Sequence, residues 1–217
     1  MLLRMTAHVA HTCALLAAAA PAAAAVLVAA PAASAPAPPA AKVGYQYAFP
    51  QSGPESPACL DGKAFTITYQ LSSSGSTRWS FILPGGGWCY DELGCLFRAN
   101  SSGLGQSSGG SGKGVHYKCQ ADTSDDNCVV LHYCDGSSFA SYRAEPFPIP
   151  ATVAGVPGKT VTFRGIKNLD ATFDWAFQHG LANATDVYIG GASAGGLSTF
   201  LHADRLADRI HKQVRSE

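Results

Sequence analysis

The stretch Val187-Tyr-Ile-Gly-Gly-Ala-Ser193-Ala-Gly-Gly-Leu197 constrains the fold more than any other. A β-branched, aromatic run passes through glycine, alanine and serine directly into a segment with helical periodicity. A chain that changes from strand to helix in so few residues brings its backbone against neighbouring strands, and glycine tolerates that approach. In the pattern Gly191-x-Ser193-x-Gly195 the serine occupies the turn, with its hydroxyl raised above the end of a sheet. The first N–H groups of the helix, just beyond the serine, are then placed to stabilise negative charge on a nearby oxygen.

The flanking segments give this turn its sheet. Lys63–Leu71 and Arg78–Leu83 are rich in β-branched and aromatic residues and read as strands separated by the turn Ser72–Ser76. Cys128–Cys134 is a short continuous apolar run, the pattern of a buried parallel strand. Lys159–Phe163 reads as a short extended segment. Ile166, Leu169, Phe173, Ala176 and Phe177 recur at helical spacing, with Gly180 placed as a C-cap. Asp186–Ile189 is the last strand. Gly196, Phe200, Ala203, Ala207, Ile210 and Val214 mark the expected apolar face of a terminal helix. Alternation of strands and helices predicts an α/β fold, a mostly parallel sheet flanked by helices. No internal repeat occurs. Ser101–Gly114 is almost entirely serine and glycine and reads as a surface loop, as does most of Asp135–Gly158.

The first part of the chain is a different material. An Ala/Leu/Val-dominated run begins near Val9, Ala33-Ser-Ala35 offers small residues for cleavage, and Pro36-Ala-Pro-Pro39 follows. Residues 1–35 therefore read as a secretory signal peptide, 36–55 as a Pro/Ala-rich spacer and 56–217 as the domain. An uncleaved membrane anchor is the alternative, because the apolar run approaches spanning length. Net charge is +0, which leaves no electrostatic footprint for nucleic acid. Of seven cysteines, Cys13 lies in the leader; Cys59, Cys89, Cys95, Cys119, Cys128 and Cys134 remain. An even number behind an export signal predicts disulfides, although six cysteines permit fifteen pairings. No zinc-type Cys-x-x-Cys spacing occurs, so neither a metal nor a cofactor is expected. Sequons at Asn100 and Asn183 are compatible with the same route.

Gly85-Gly86-Gly87 follows the strand Arg78–Leu83 without interruption. Consecutive glycines let backbone N–H groups converge on one oxygen, so this segment complements Ser193 as an oxyanion loop. A general base is harder to find. His116, His132 and His179 precede Ser193, whereas serine nucleophiles on such turns take their acid and histidine from later in the chain. His202 is nine residues along the same helix, roughly 13 Å at 1.5 Å per residue. His211, Asp204 and Asp208 meet the same objection.

Pro84-Gly-Gly-Gly-Trp-Cys89, Tyr133-Cys-Asp-Gly136, Phe163-Arg-Gly165, Gly180-Leu-Ala-Asn-Ala184 and Gly191–Gly196 resemble, in order, the motifs of the pectin acetylesterase/Notum family. These are secreted α/β-hydrolases that cleave esters with a Ser-Asp-His triad. The resemblance extends from Cys59 to Asp208 and is closer to the pectin acetylesterase branch than to the Notum lipid-deacylase branch. It implies Ser193 as nucleophile, Gly86, Gly87 and Ala194 as oxyanion donors, and Trp88 at the pocket mouth. It further implies the pairs Cys59–Cys134 and Cys89–Cys95, leaving Cys119 with Cys128. Pro84 departs from the glutamate usual in plant members, and the family's C-terminal Asp and His have no counterpart. The expectation is thus a secreted carboxylesterase fold, incomplete at its C-terminus, acting on an acetylated polysaccharide such as pectin in the cell wall. The alternatives are a protein lipid-deacylase and a non-catalytic fragment. A sheet so shortened is expected to leave an unpaired edge beside the last strand and to associate.

Overall fold

A computed structural model describes residues 45–101, 125–155 and 157–214, and the backbone of 2–8. Its centre is a six-stranded sheet made of β1 (Leu2–His8), β2 (Tyr45–Ala48), β3 (Thr66–Gln70), β4 (Arg78–Leu83), β5 (Asn127–Leu131) and β8 (Asp186–Ala192). The order is β1-β8-β4-β5-β3-β2. β4 runs parallel to both β5 and β8, while β3 is antiparallel to β5, and β2 to β3. A separate ribbon joins β6 (Phe147–Pro148) to β7 (Thr160–Val161). Among the described residues four α-helices accompany these strands: α1 (Glu92–Asn100), α2 (Ala151–Ala154), α3 (Gly165–Gln178) and α4 (Ala194–Val214). The architecture is α/β with a mixed sheet.

Burial follows the sequence pattern strand by strand. All five residues of β5 are buried, as a continuous apolar run at the middle of a sheet requires. β4 alternates, burying Trp79, Phe81 and Leu83. Phe81 stacks on Phe173 of α3 with ring centroids 4.4 Å apart, which sets that helix against the sheet. Gly180 has φ +103° and donates its N–H to the Phe177 carbonyl, ending α3 where the sequence places its cap. Arg209 of α4 reaches Asp170 and Asp174 of α3, so the two helices lie side by side. Around Leu60, Leu96, Ile149 and Val161 a smaller apolar cluster joins α1 to the β6–β7 ribbon.

Several expectations need correction. The buried face of α4 is Ser198, Thr199, His202, Leu206 and Ile210, while Phe200 is 66% exposed. Gly195 and Gly196 press α4 onto the sheet ends, and that rotates Phe200 outward. The edge of β8 is not bare either. Leu2 to His8 pair with Asp186 to Ala192 in parallel register. The open row of backbone donors and acceptors along β8 needs partners, and an extended stretch of the same chain supplies them. β2 and α1 were not expected from the sequence. Most of the apolar leader and the Ser/Gly loop, with His116 and Cys119, lie outside the described residues. Among the described residues no helix is long and apolar enough to cross a membrane.

Candidate active site

β8 delivers Ser193 to the carboxyl end of the sheet, and α4 begins with the next residue. Ser193 has φ +53°, left-handed backbone that an L-residue adopts at a cost. Close packing maintains it. A Cβ on Gly195 would lie 1.8 Å from the Leu83 carbonyl oxygen, and one on Gly191 would lie 2.5 Å from the same atom. The two glycines therefore let the turn sit directly on the end of β4. Ser193 itself is exposed, and its hydroxyl has no protein partner among the described residues.

The segment after β4 reaches the same point. A Cβ on Gly85 would stand 2.6 Å from the Ser193 Cβ and 3.0 Å from the Ala194 nitrogen. Gly86 and Gly87 come next, and neither N–H donates to a protein acceptor among the described residues. Ala194, first in α4, leaves its N–H free of an intrahelical partner. The structure thus gathers Ser193, Gly86, Gly87 and Ala194 at one end of the central strands.

The outward sides of these peptides are fixed. Arg98 donates from Nη2 to the Gly86 carbonyl at 2.6 Å and from Nε to the Trp88 carbonyl at 2.9 Å. Tyr133 Oη donates to the Gly87 carbonyl at 2.8 Å and accepts from the Ser138 N–H. Burial, with Asp135 nearby, holds the Tyr133 hydroxyl far above the usual tyrosine range, so it stays a donor. Trp88 Nε1 donates to Ser138 Oγ at 2.7 Å, and the Cys89 N–H to the Gly136 carbonyl. Trp88 is thereby seated against the 137–139 turn beside the glycine loop, half-buried rather than free.

That turn has its own anchor. Asp135 is completely buried, and its Oδ2 accepts from Ser137 N–H, Ser137 Oγ and Phe139 N–H. Ser138 and Phe139 both have φ +55°, so three bonds to one carboxylate oxygen hold two left-handed residues in place. Burial outweighs these bonds and pushes the Asp135 carboxyl up to about 6.

Disulfides join Cys59 to Cys134 and Cys89 to Cys95. The second ties the end of the glycine loop to the first turn of α1, whose N-cap Asp91 accepts from Gly94 N–H at 2.7 Å. Arg98 follows three residues later, which directs it back to the loop. Cys128 is also disulfide-bonded.

The histidines are elsewhere. His132 places its two ring nitrogens 2.8 Å from Thr66 Oγ1 and Thr68 Oγ1. His179 stacks on Trp175 and bonds its carbonyl. His202, expected at the surface or partly packed, is buried, and its Nε2 has no partner. None engages Ser193. A cleft of ≈ 850 Å3 lined by Ser52–Pro57, α3 and α4 does not include Ser193 either. Its cations Lys167, Arg205 and Arg209 pair with Glu55, Asp170 and Asp174. No cluster able to hold a metal ion occurs among the described residues.

Sequence reasoning missed Arg98, Tyr133 and Asp135 as supports. Arg98 had a legible signal, since it follows Cys95 by three residues in a segment just past the glycines. The two left-handed residues after Asp135-Gly136 had none.

The chain is 30% identical over 164 residues to pectin acetylesterase 11 of Arabidopsis thaliana, covering 72% of this chain and 40% of that protein. It is 32% identical to pectin acetylesterase 5 of the same plant, covering 72% and 36%. The chain therefore spans less than half the length of these curated relatives. Among solved structures, the Wnt deacylase Notum from Drosophila superposes with a TM-score of 0.60 at 21% identity, covering 77% of this chain and 48% of that one. At that identity the likeness shows a shared fold. The pectinacetylesterase family model matches residues 46–216, and the chain belongs to that family.

Proposed function

We propose that this chain carries the nucleophile and oxyanion site of a serine carboxylesterase that removes acetyl groups from an exported polysaccharide such as pectin. The observation that carries this reading is the meeting of Ser193, strained and exposed, with three N–H groups that have no protein acceptor among the described residues. Ser193 Oγ would attack the acetyl carbonyl, and the developing oxyanion would be held by Gly86, Gly87 and Ala194. The alcohol would leave with a proton returned by the general base, and water would then release acetate. That base is proposed to come from outside the described residues. Family membership supports the acetyl ester, and the two disulfides agree with an oxidising, extracellular setting. If the leader is cleaved near Ala35, β1 departs with it and the β8 edge is freed for another strand.

Three measurements test the reading. With no base among the described residues, the purified chain should turn over p-nitrophenyl acetate far more slowly than complete esterases, while a fluorophosphonate should modify Ser193 slowly and stoichiometrically. A rate equal to that of complete esterases, abolished by Ser193→Ala, would show that a base has been overlooked. Saturation-transfer NMR should detect acetyl methyl groups of acetylated oligogalacturonate on the chain, and a Ser193 that never labels would sink the assignment.

A further inference from the structure

The guanidinium of Arg98 is half-buried behind the glycine loop, and no carboxylate pairs with it among the described residues. Nη2 bonds the Gly86 carbonyl, Nε bonds the Trp88 carbonyl, and Nη1 is buried without a partner among the described residues. Leaving a cation unpaired in such a place is expensive, so its position calls for an explanation beyond tethering a loop.

The explanation lies in which peptide it holds. The Gly86 carbonyl and the Gly87 N–H belong to one peptide unit. The peptide bonds of the described residues are all trans, so this carbonyl and N–H point in opposite directions. A donor fixed on the oxygen therefore aims the N–H away from Arg98. A charged donor also draws electron density toward that oxygen and makes the N–H on the other end a stronger donor. Gly87 has φ +73°, and a Cβ there would lie 2.6 Å from Arg98 Nη2. Only glycine admits the guanidinium so close. The next peptide is held as well, but by a neutral group, Tyr133.

We infer that Arg98 is a positioning residue for the reaction. It orients and polarises the Gly86–Gly87 peptide, so that the Gly87 N–H is the strongest of the oxyanion donors. This rests on the reading of the glycine loop as an oxyanion site, and the test separates the two. The isotope-labelled full chain is examined by 1H–15N NMR, first alone and then titrated with methylphosphonate, a tetrahedral anion that needs no general base. Methylphosphonate should move the Gly86, Gly87 and Ala194 amides together. Arg98→Met should move the Gly87 amide proton upfield, leave Ala194 in place, and weaken methylphosphonate about tenfold, the worth of one charge-assisted bond. Arg98→Lys keeps the charge and should recover part of both effects; it carries the comparison if Arg98→Met does not fold.

An unchanged Gly87 shift and affinity in the folded variants would overturn the inference and leave the site reading intact. Equal movement of all three amides would make Arg98 a purely structural residue and overturn it too. Methylphosphonate that moves none of the three would overturn the site reading itself, while the shifts of the free proteins still decide the role of Arg98.

Discussion

The two sides of Ser193 are built to different standards. Toward β4, the carbonyls of Gly86, Gly87 and Trp88 each meet a side-chain donor, Asp135 anchors the turn that seats Trp88, and a disulfide closes the loop. Along α4 on the other side, Leu197, Phe200 and Leu201 are 43%, 66% and 55% exposed, and no histidine among the described residues bonds Ser193. The glycine-loop side is held by hydrogen bonds and a disulfide among the described residues, and those contacts do not depend on a base being present.

The sharpest way to break this contrast is a pair of substitutions only a few residues apart. Gly195→Ala would place a Cβ 1.8 Å from the Leu83 carbonyl and 2.5 Å from that of Pro84, both backbone atoms. β4, β8 and α4 would all have to shift, so loss of a cooperative fold is expected, an effect beyond the 4–5 kcal/mol or so that marks exceptional mutants. Phe200→Ser on the exposed face should change stability by no more than about 0.5 kcal/mol. Circular dichroism melts of both variants check this. A folded Gly195→Ala, or a Phe200→Ser that unfolds, would show that the sides are not held as described.

Legibility in the sequence followed the same divide. Local signals carried well: the elbow, the glycine run, the Gly180 cap and the strands β4, β5 and β8 are each written in a handful of adjacent residues. The resemblance implied two disulfides that the structure contains, a pairing that spacing alone left open. Long-range consequences were not legible. Phe200 fits an apolar helical repeat, yet the glycines at the start of α4 turn it to solvent. β2 is four residues long with only Tyr47 half-buried, too little alternation to register. The short α1 owes its place to Asp91 and the Cys89–Cys95 bond rather than to periodicity. Pairing of Leu2–His8 with β8 joins segments that no local pattern connects.

A smaller effect sharpens the account of the held side. Asp135 has its carboxyl raised from 3.8 to about 6 by burial. Between those values the folded chain keeps a proton that the unfolded chain has released, so this group's contribution falls as pH rises, by ~3 kcal/mol across the window. His202 acts oppositely: burial lowers its pKa from 6.5, and stability is lost as pH falls below that value. Asp135→Asn removes the first effect and leaves the second. Urea titrations should show nearly equal stability for the two proteins at pH 4, and the Asn variant ahead by up to ~3 kcal/mol at pH 7.5. An Asn variant that is less stable at pH 7.5 would mean that the three donors on Oδ2 require the charge, and that the turn beneath Trp88 is held electrostatically.

The smallest effect concerns Ser193 itself, where the two sides meet. Its φ of +53° belongs to a region that costs an L-residue about 1–2 kcal/mol and costs glycine little. The serine hydroxyl makes no protein hydrogen bond among the described residues, and the side chain is exposed, so little packing is lost on removing it. Glycine also gives the unfolded chain more freedom, which offsets part of the relief by roughly 0.5–1 kcal/mol. Ser193→Gly should therefore be slightly more stable than the parent, by about 0.5–1 kcal/mol, and Ser193→Ala, which keeps the Cβ, should not be. Strain relieved by glycine alone would mean that the fold holds Ser193 against its own preference, using the contacts of Gly191 and Gly195 with Leu83. Equal melting temperatures for Ser193→Gly and Ser193→Ala would place the turn's conformation in the serine rather than in the packing beneath it. The held side would then end at the glycine loop instead of including Ser193.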